Sequence, residues 1–189
     1  MLATDASAAQ IGAALPHERI DYRVAPAEAS GLTDGSVDCV TVAQALHWFD
    51  VEAFYAEVRR VARARGVVAV WSYGVPTIEG ESVDEIARAF YSETVGAYWP
   101  PERAIVEAGY RTLPFPFEEI PSPAFAMRAE WSMAELLGYF ASWSATARYV
   151  AAHGKNPVRE VAEILAPAWG DADTLRAIEW PLALRAGRV

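Results

Sequence analysis

The sequence predicts an α/β fold with a Rossmann-like, open and mainly parallel sheet, helices on both faces and a C-terminal helical cap. One observation behind this prediction is the unbroken apolar run at residues 39–43, which is typical of a strand with both faces covered by helices. The other is the order of patterns in residues 1–71, which alternate strand, helix, strand, helix, strand. Such alternation implies right-handed crossovers and a parallel sheet.

Length and composition narrow the class of protein. A chain of 189 residues can bury about 70% of the surface that its unfolded form exposes, which is enough for one domain. The formal net charge of −9 argues against nucleic acid or an anionic membrane as partner, because both need clustered Lys and Arg. We therefore expect a small-molecule partner.

The cysteine content and the absence of long apolar stretches suggest a location. The one cysteine, Cys39, lies in the apolar run, so we expect a buried thiol, no internal disulfide and a reducing compartment. No apolar stretch reaches the roughly 18 residues of a membrane span, and no secretory signal pattern follows Met1. The expected location is the cytoplasm.

Residues 1–75 form the predicted cofactor-side core. Residues 1–4 look like the end of a strand, and Ser7 with Gln10 is a capping-box pair that starts a helix. Alternating apolar and polar residues at 20–25 predict the second strand.

The loop at residues 44–49 follows the apolar run and precedes Asp50, which we expect to start a helix ending at Gly66. Residues 67–71 predict the next buried strand, with Tyr73 just beyond its end. Ligands of open α/β sheets bind beyond the carboxyl ends of such strands, so we interpret this loop as the floor of a site.

The rest of the chain is predicted to add a cap and further strands to the same domain. Residues 76–112 and 131–170 have the apolar stripes of helices and form the predicted cap, and residues 113–130 and 175–188 supply the C-terminal strands.

Two further capping-box pairs predict where cap helices begin: Ser82 with Glu85, and Ser132 with Glu135. Pro181 interrupts the last strand, where a proline is expected only at an edge or a bulge.

Several short stretches carry a family resemblance when taken together. They are TDAS at 4–7, APAEAS at 25–30, LTDGSVDCVTVAQALHWFD at 32–50, WSAT at 143–146 and WPLALRAGR at 180–188. In order and spacing they resemble the class I S-adenosylmethionine-dependent methyltransferases, in particular the type 11 branch that includes small-acid methyltransferases of the trans-aconitate kind.

The resemblance implies S-adenosylmethionine as cofactor and a set of residues around it. Those residues are Asp5 and Ala6 at the ribose, Ala27 and Glu28 beside the adenine, and Ala43, Gln44 and His47 along the adenosine and methionine parts. Other roles stay open: Asp5 could lead the first helix, Glu28 could be merely solvated, and His47 could be a structural hydrogen-bonding residue.

The resemblance also implies in-line displacement of the sulfonium methyl by an oxygen, nitrogen or carbon of a small molecule, and no metal. The candidate substrate residues are Trp48, Tyr73, Trp143, Arg148 and Tyr149. A guanidinium binds both oxygens of a carboxylate, so Arg148 is the candidate clamp for a carboxylic acid, with a surface salt bridge as its alternative role. Trp48 and Tyr73 could instead be core residues. No catalytic acid or base is assigned.

The sequence departs from the family pattern at one important point. The family's first strand and acidic-x-Gly-x-Gly loop have no counterpart here, so we expect an N-terminally truncated sheet. One hypothesis is a methyltransferase whose N-terminal part is absent from this sequence. The other is a catalytically silent module that acts through oligomerisation, for example as a homodimer. A nicotinamide dehydrogenase is a weaker third hypothesis, because the glycine fingerprint is missing.

Overall fold

The computed structural model describes all residues, Met1 to Val189, and the chain forms two compact units. The first unit consists of Met1–Ser72, Ala108–Pro123 and Ala183–Val189, and the second of Tyr73–Glu107 and Ala124–Leu182.

Strands and helices alternate in the first part of the chain, as expected. The strands are β1 (Leu2–Asp5), β2 (Asp21–Val24), β3 (Val37–Ala43), β4 (Ala62–Tyr73), β5 (Thr77–Ile78), β6 (Glu118–Ile120), β7 (Phe125–Trp131) and β8 (Arg176–Arg188). The helices are α1 (Ala8–Ala13), α2 (Val51–Val61), α3 (Glu81–Ala89), α4 (Arg103–Glu107), α5 (Met133–Ser142), α6 (Ser144–His153) and α7 (Pro157–Trp169). None of the helices is both long and apolar enough to cross a bilayer.

The first four strands of the chain form two parallel pairs, β1 with β2 and β3 with β4, and each pair has an unpaired edge. β1 pairs with β2 in parallel, with Leu2 opposite Asp21 and Asp5 opposite Val24. β3 pairs with β4, also in parallel. β1 and β3 each have a strand neighbour on one side only. The α/β class is confirmed, but the sheet is mixed rather than mainly parallel, because β5, β6 and β7 all pair with β8 in antiparallel fashion.

The core of the first unit lies under α2 and β4 rather than around β3. Its buried residues include Phe54, Tyr55, Val58, Val61, Val68 and Val70. The prediction that β3 is covered on both faces is wrong, because Cys39, Thr41 and Ala43 are exposed. The physical reason is that this strand has one neighbour only and keeps one face open.

The sequence predicted the start of α2 correctly but not its end. Asp50 caps the start of α2, as predicted, by accepting a hydrogen bond from the Ala53 amide at 3.1 Å. The predicted end at Gly66 is wrong. The backbone turns extended at Ala62, where β4 begins at once, and Arg65 adopts a positive φ of 66°.

The second unit has a dense aromatic core enclosed by α3, α5, α6 and α7. The buried residues of this core include Phe90, Phe140, Trp143, Trp169 and Trp180. β5 and β7 flank the first half of β8.

Local signals fix some elements of the second unit and fail for others. Ser132 and Glu135 form the predicted capping box. The predicted cap at Ser82 is wrong, because α3 starts one residue after Gly80 and has no side-chain cap. Pro181 pairs opposite Ala126 inside β8, and its carbonyl accepts a hydrogen bond from the Gly74 amide at 2.9 Å.

Candidate functional site

The candidate site lies where β1, β2 and β3 end in the first unit. β1 and β2 end together, and the Ala25 amide donates to the Asp5 carbonyl at 3.1 Å. The segment that follows β2 contacts the start of α2 through Glu28, whose Oε1 accepts from the Asp50 amide at 2.9 Å. Asp50 directly follows the loop after β3, so this hydrogen bond joins the segment after β2 to the end of that loop.

Asp5 is an exposed carboxylate at the end of β1. Its Oδ1 accepts from the Ser7 amide at 2.7 Å, and its Oδ2 makes no hydrogen bond. Ser7 in turn caps α1 through the Gln10 amide. Asp5 therefore does help to begin the first helix, and it still has one oxygen that can accept from a ligand. Ala6 follows it in the exposed turn before α1.

The loop after β3 leaves the strand through a residue with unusual backbone geometry. Gln44 has a φ of 46°, a value that is uncommon for residues other than glycine. Its amide still donates to the Trp71 carbonyl at 2.8 Å, so the turn follows directly on the parallel pairing that ends at Ala43. Leu46 is buried and anchors a 3-10 turn, Leu46–Trp48, while Trp48 is 61% exposed.

His47 has a structural partner that the sequence did not suggest. Its Nδ1 lies 3.1 Å from the hydroxyl of Tyr110, and the two rings stack with centroids 6.0 Å apart. Burial raises the pKa of Tyr110, so its phenol stays protonated at neutral pH and can donate to the imidazole. Tyr110 follows Gly109, and both have positive φ angles. That sharp turn is the signal that could have drawn attention to it.

The remaining substrate candidates belong to the second unit, and they occupy different environments. Trp143 is buried in the aromatic core, and Tyr73 packs against the same core. Tyr149 meets the ring of Tyr98 edge to face and lies tilted against that of His153. Arg148 is exposed on α6. A further arginine, Arg103, was not considered from the sequence, and it lies among the aromatic rings.

Comparison with known proteins identifies the family. A model of the methyltransferase domain family matches residues 1–70. A solved structure from Anaeromyxobacter dehalogenans, described as a type II methyltransferase, is 44% identical, with a TM-score of 0.92 over 99% of this chain and 79% of that chain. The chain belongs to the class I S-adenosylmethionine-dependent methyltransferases.

A curated relative of this methyltransferase chain is longer than the chain itself. It is a Dictyostelium discoideum protein named as a methyltransferase, 34% identical over 169 residues. The match covers 88% of this chain and 64% of the relative's length.

The donor set at the edge of the first unit fits the cofactor that this family uses. Asp5 and Glu28 each have one carboxylate oxygen bonded to a backbone amide and one without a hydrogen bond. Such oxygens accept hydrogen bonds from O–H and N–H donors, and an adenosyl group carries both kinds, on its ribose and on its adenine. Within the described chain no group of three or more His, Cys, Asp or Glu residues could hold a metal ion.

Proposed function

We propose that the protein transfers a methyl group from S-adenosylmethionine to a small molecule, with carboxylic acids as the first class to test. The observation that supports this proposal most is the hydrogen bond from the Asp50 amide to Glu28. It joins the segment after β2 to the end of the loop after β3, and β2 itself pairs with β1, which ends in Asp5. We also propose a cytoplasmic location, consistent with a lone free cysteine, Cys39.

The residues of the first unit would hold the cofactor, which supplies an electrophilic methyl group on a sulfonium when it is bound. Asp5 would accept from the ribose hydroxyls with Ala6 beside it, Ala27 and Glu28 would lie beside the adenine, and Ala43, Gln44 and His47 would line the rest. Enzymes of this kind act chiefly by holding donor and acceptor in line and by excluding water. The chain therefore needs no assigned general base when the acceptor is already a carboxylate.

The proposed substrate residues have two kinds of role. The exposed ring of Trp48 can attract a sulfonium cation through its π face. Tyr73, Trp143 and Tyr149 offer aromatic surface to a substrate, and Arg148 offers a charge.

Calorimetric titration with S-adenosylmethionine tests the cofactor part of this proposal. We expect saturable binding by the wild-type chain and about tenfold weaker binding by Asp5→Asn, because a hydrogen bond to a charged acceptor contributes about 1.5–3 kcal/mol. Asp21→Asn is the matched control, since Asp21 is an exposed carboxylate at the opposite end of the β1–β2 pair. Absence of binding by the wild type, or an equal loss in both variants, contradicts the proposal.

The unpaired edges of β1 and β3 favour a second candidate, a methyltransferase-like module that acts through self-association as a homodimer. Unpaired strand edges are templates for pairing with another chain, and Leu15 and Val24 add exposed apolar surface nearby. Sedimentation of the same samples separates the candidates. A stable dimer that binds no cofactor supports the module, and a cofactor-binding monomer supports the enzyme.

A further inference from the structure

Arg103 is a cation enclosed by aromatic rings in the second unit. It is the first residue of α4, and its guanidinium carbon lies 4.8 Å from the ring centroid of Trp99 and 5.4 Å from that of Tyr91. Only 15% of its side chain is exposed. Aromatic faces attract a guanidinium and restrict its orientation, so the planar group is held in a defined position.

Most of the hydrogen-bonding capacity of Arg103 is unused within the protein. Its Nε donates to the Tyr91 hydroxyl at 2.7 Å and lies 3.4 Å from Oε1 of Glu107. The two terminal nitrogens, Nη1 and Nη2, make no hydrogen bond. A guanidinium carries five N–H donors, so the four donors of its fork lack a protein acceptor.

The other enclosed arginines of the chain are different in this respect. Arg185 is 17% exposed at its side chain, and its Nη1 donates to the carbonyls of Tyr110 and Leu113. Arg176 uses Nη1 and Nη2 to bind two further carbonyls. Those arginines tie backbone segments together with their terminal nitrogens, whereas Arg103 does not.

The charge of Arg103 is only partly offset by its neighbours. Glu107 is the one carboxylate that pairs with it, is 45% exposed, and also accepts a hydrogen bond from Tyr91. Tyr91 itself stays neutral, because burial raises its pKa. The counter-ion of this partly buried cation is therefore a half-exposed carboxylate that it shares with Tyr91.

The surroundings of Arg103 favour a flat anion. Trp143 packs 5.5 Å from Trp99 and 5.6 Å from Tyr91, measured between ring centroids. Tyr139 packs against Trp143, with ring centroids 5.3 Å apart. Burial raises the pKa of Tyr139, and the charge of Arg103 lowers it slightly. Aromatic walls with one guanidinium suit a planar group with a single negative charge.

We propose that Arg103 binds the carboxylate of the methyl acceptor through Nη1 and Nη2, with Tyr91 and Trp99 as the neighbouring rings. A carboxylate matches the guanidinium fork because two parallel N–H···O bonds form at once. This assignment rests on the proposed function for the identity of the bound molecule, and it places the acid clamp at Arg103 rather than at the exposed Arg148.

A fluorescence titration without cofactor tests the proposal, since Trp99 and Trp143 report on this cluster. The probes are phenylacetate, its neutral analogue phenylacetamide, and inorganic phosphate, all at constant ionic strength. We expect a saturable change with phenylacetate only. Arg103→Lys keeps the charge and loses the fork, so it should bind phenylacetate about tenfold more weakly.

Three further variants make the test specific. Arg103→Met should abolish the response to phenylacetate, and Arg159→Met, an exposed arginine on α7, should leave it unchanged. Near-ultraviolet circular dichroism shows whether each variant is folded. If Arg103→Met does not fold, Arg103→Lys serves as the test variant. A loss of binding in Arg148→Met with Arg103→Lys unaffected overturns the assignment.

The remaining outcomes separate this inference from the proposed function. An equal response to phenylacetamide, a preference for phosphate, or no response to phenylacetate overturns the carboxylate site. Each of these can occur while S-adenosylmethionine still binds, in which case the cofactor assignment stands. Conversely, phenylacetate binding with no cofactor binding supports the acid clamp and contradicts the methyl-transfer proposal.

Discussion

The region that carries most of the family signal and the region that carries most of the core are different. In β1, α1 and β2 no residue is buried, and Leu15 is 85% exposed. In the second unit Phe90, Phe140 and Trp180 are at most 2% exposed. The family model nevertheless matches residues 1–70. The matched stretch therefore combines the exposed segment of β1, α1 and β2 with the buried residues of α2 and β4, and it includes none of the aromatic core of the second unit.

A matched pair of leucine substitutions tests this contrast with the largest expected effect. Leu136→Ala in α5 removes a side chain with 0% exposure and should lower the free energy of unfolding by about 2–5 kcal/mol. Leu15→Ala should change it by no more than about 0.5 kcal/mol. Urea unfolding followed by tryptophan fluorescence measures both. Similar losses in the two variants would show that Leu15 is covered in solution.

The ion pair between the buried carboxylate of Glu57 and Arg60 tests whether polar contacts contribute to the stability of the first unit. Glu57 accepts hydrogen bonds from Arg60 and from the amide and hydroxyl of Ser30, and so ties α2 to the segment after β2. The hydrogen bond from Arg60, followed by those from Ser30, lowers the pKa of Glu57 from 4.5 to about 2. Glu57→Gln should cost about 1–3 kcal/mol at pH 7.

The difference in the free energy of unfolding between the wild type and Glu57→Gln should decrease at low pH. A carboxylate with a lowered pKa in the folded state stabilises the protein above its unfolded pKa, and this stabilisation is lost as the carboxylate is protonated. The gap between wild type and Glu57→Gln should therefore be constant above pH 4.5 and close as the pH falls towards 2. Urea midpoints measured across this range check it, and a gap that widens on acidification contradicts it.

Local signals predicted the fold well where a few neighbouring residues decide the structure. Asp50 and the Ser132–Glu135 pair act through hydrogen bonds within one helical turn, so their roles can be inferred from spacing alone. Ser82 fails as a cap because α3 already begins at Glu81, after Gly80, which places Ser82 inside the first helical turn.

The exposure of Cys39 and the enclosure of Arg103 depend on distant parts of the chain. An apolar strand is buried only if other elements cover it, and no pattern within residues 39–43 contains that information. Arg103 lies against rings from positions 91 and 99, and the ring at position 143 packs against both of them. The cofactor-site residues near β1, β2 and β3 were nominated by resemblance, and their roles stay predictions until binding is measured.

Two serine caps, Ser7 on α1 and Ser132 on α5, test the contrast between the two units with a smaller expected change in stability. Ser132→Ala removes the hydroxyl contacts of a capping box on a ten-residue helix and should cost about 1 kcal/mol. Ser7→Ala removes a single long contact, 3.4 Å to the Gln10 amide, from a six-residue helix without buried residues. Its cost in the free energy of unfolding should be smaller than that of Ser132→Ala. Urea unfolding of both variants checks the order, and the reverse order contradicts it.

The smallest expected effect concerns two residues of the first unit with positive φ angles. Left-handed backbone geometry costs a residue with a side chain about 1–2 kcal/mol, and a substitution by glycine removes this cost. Glycine also has greater freedom in the unfolded chain, which cancels part of the gain in stability. Arg65→Gly, at an exposed position within β4, should therefore gain about 0.5–1 kcal/mol.

Gln44→Gly relieves the same geometry at the edge of the candidate site. Gln44 also takes part in further interactions, so its replacement should gain less stability than Arg65→Gly and should weaken the binding of S-adenosylmethionine. Backbone strain persists at functional positions when the surrounding structure and the ligand require it. Urea unfolding and calorimetric titration of both variants measure the two effects. If both gain equally and bind cofactor equally, the strained turn at Gln44 has no role in the site.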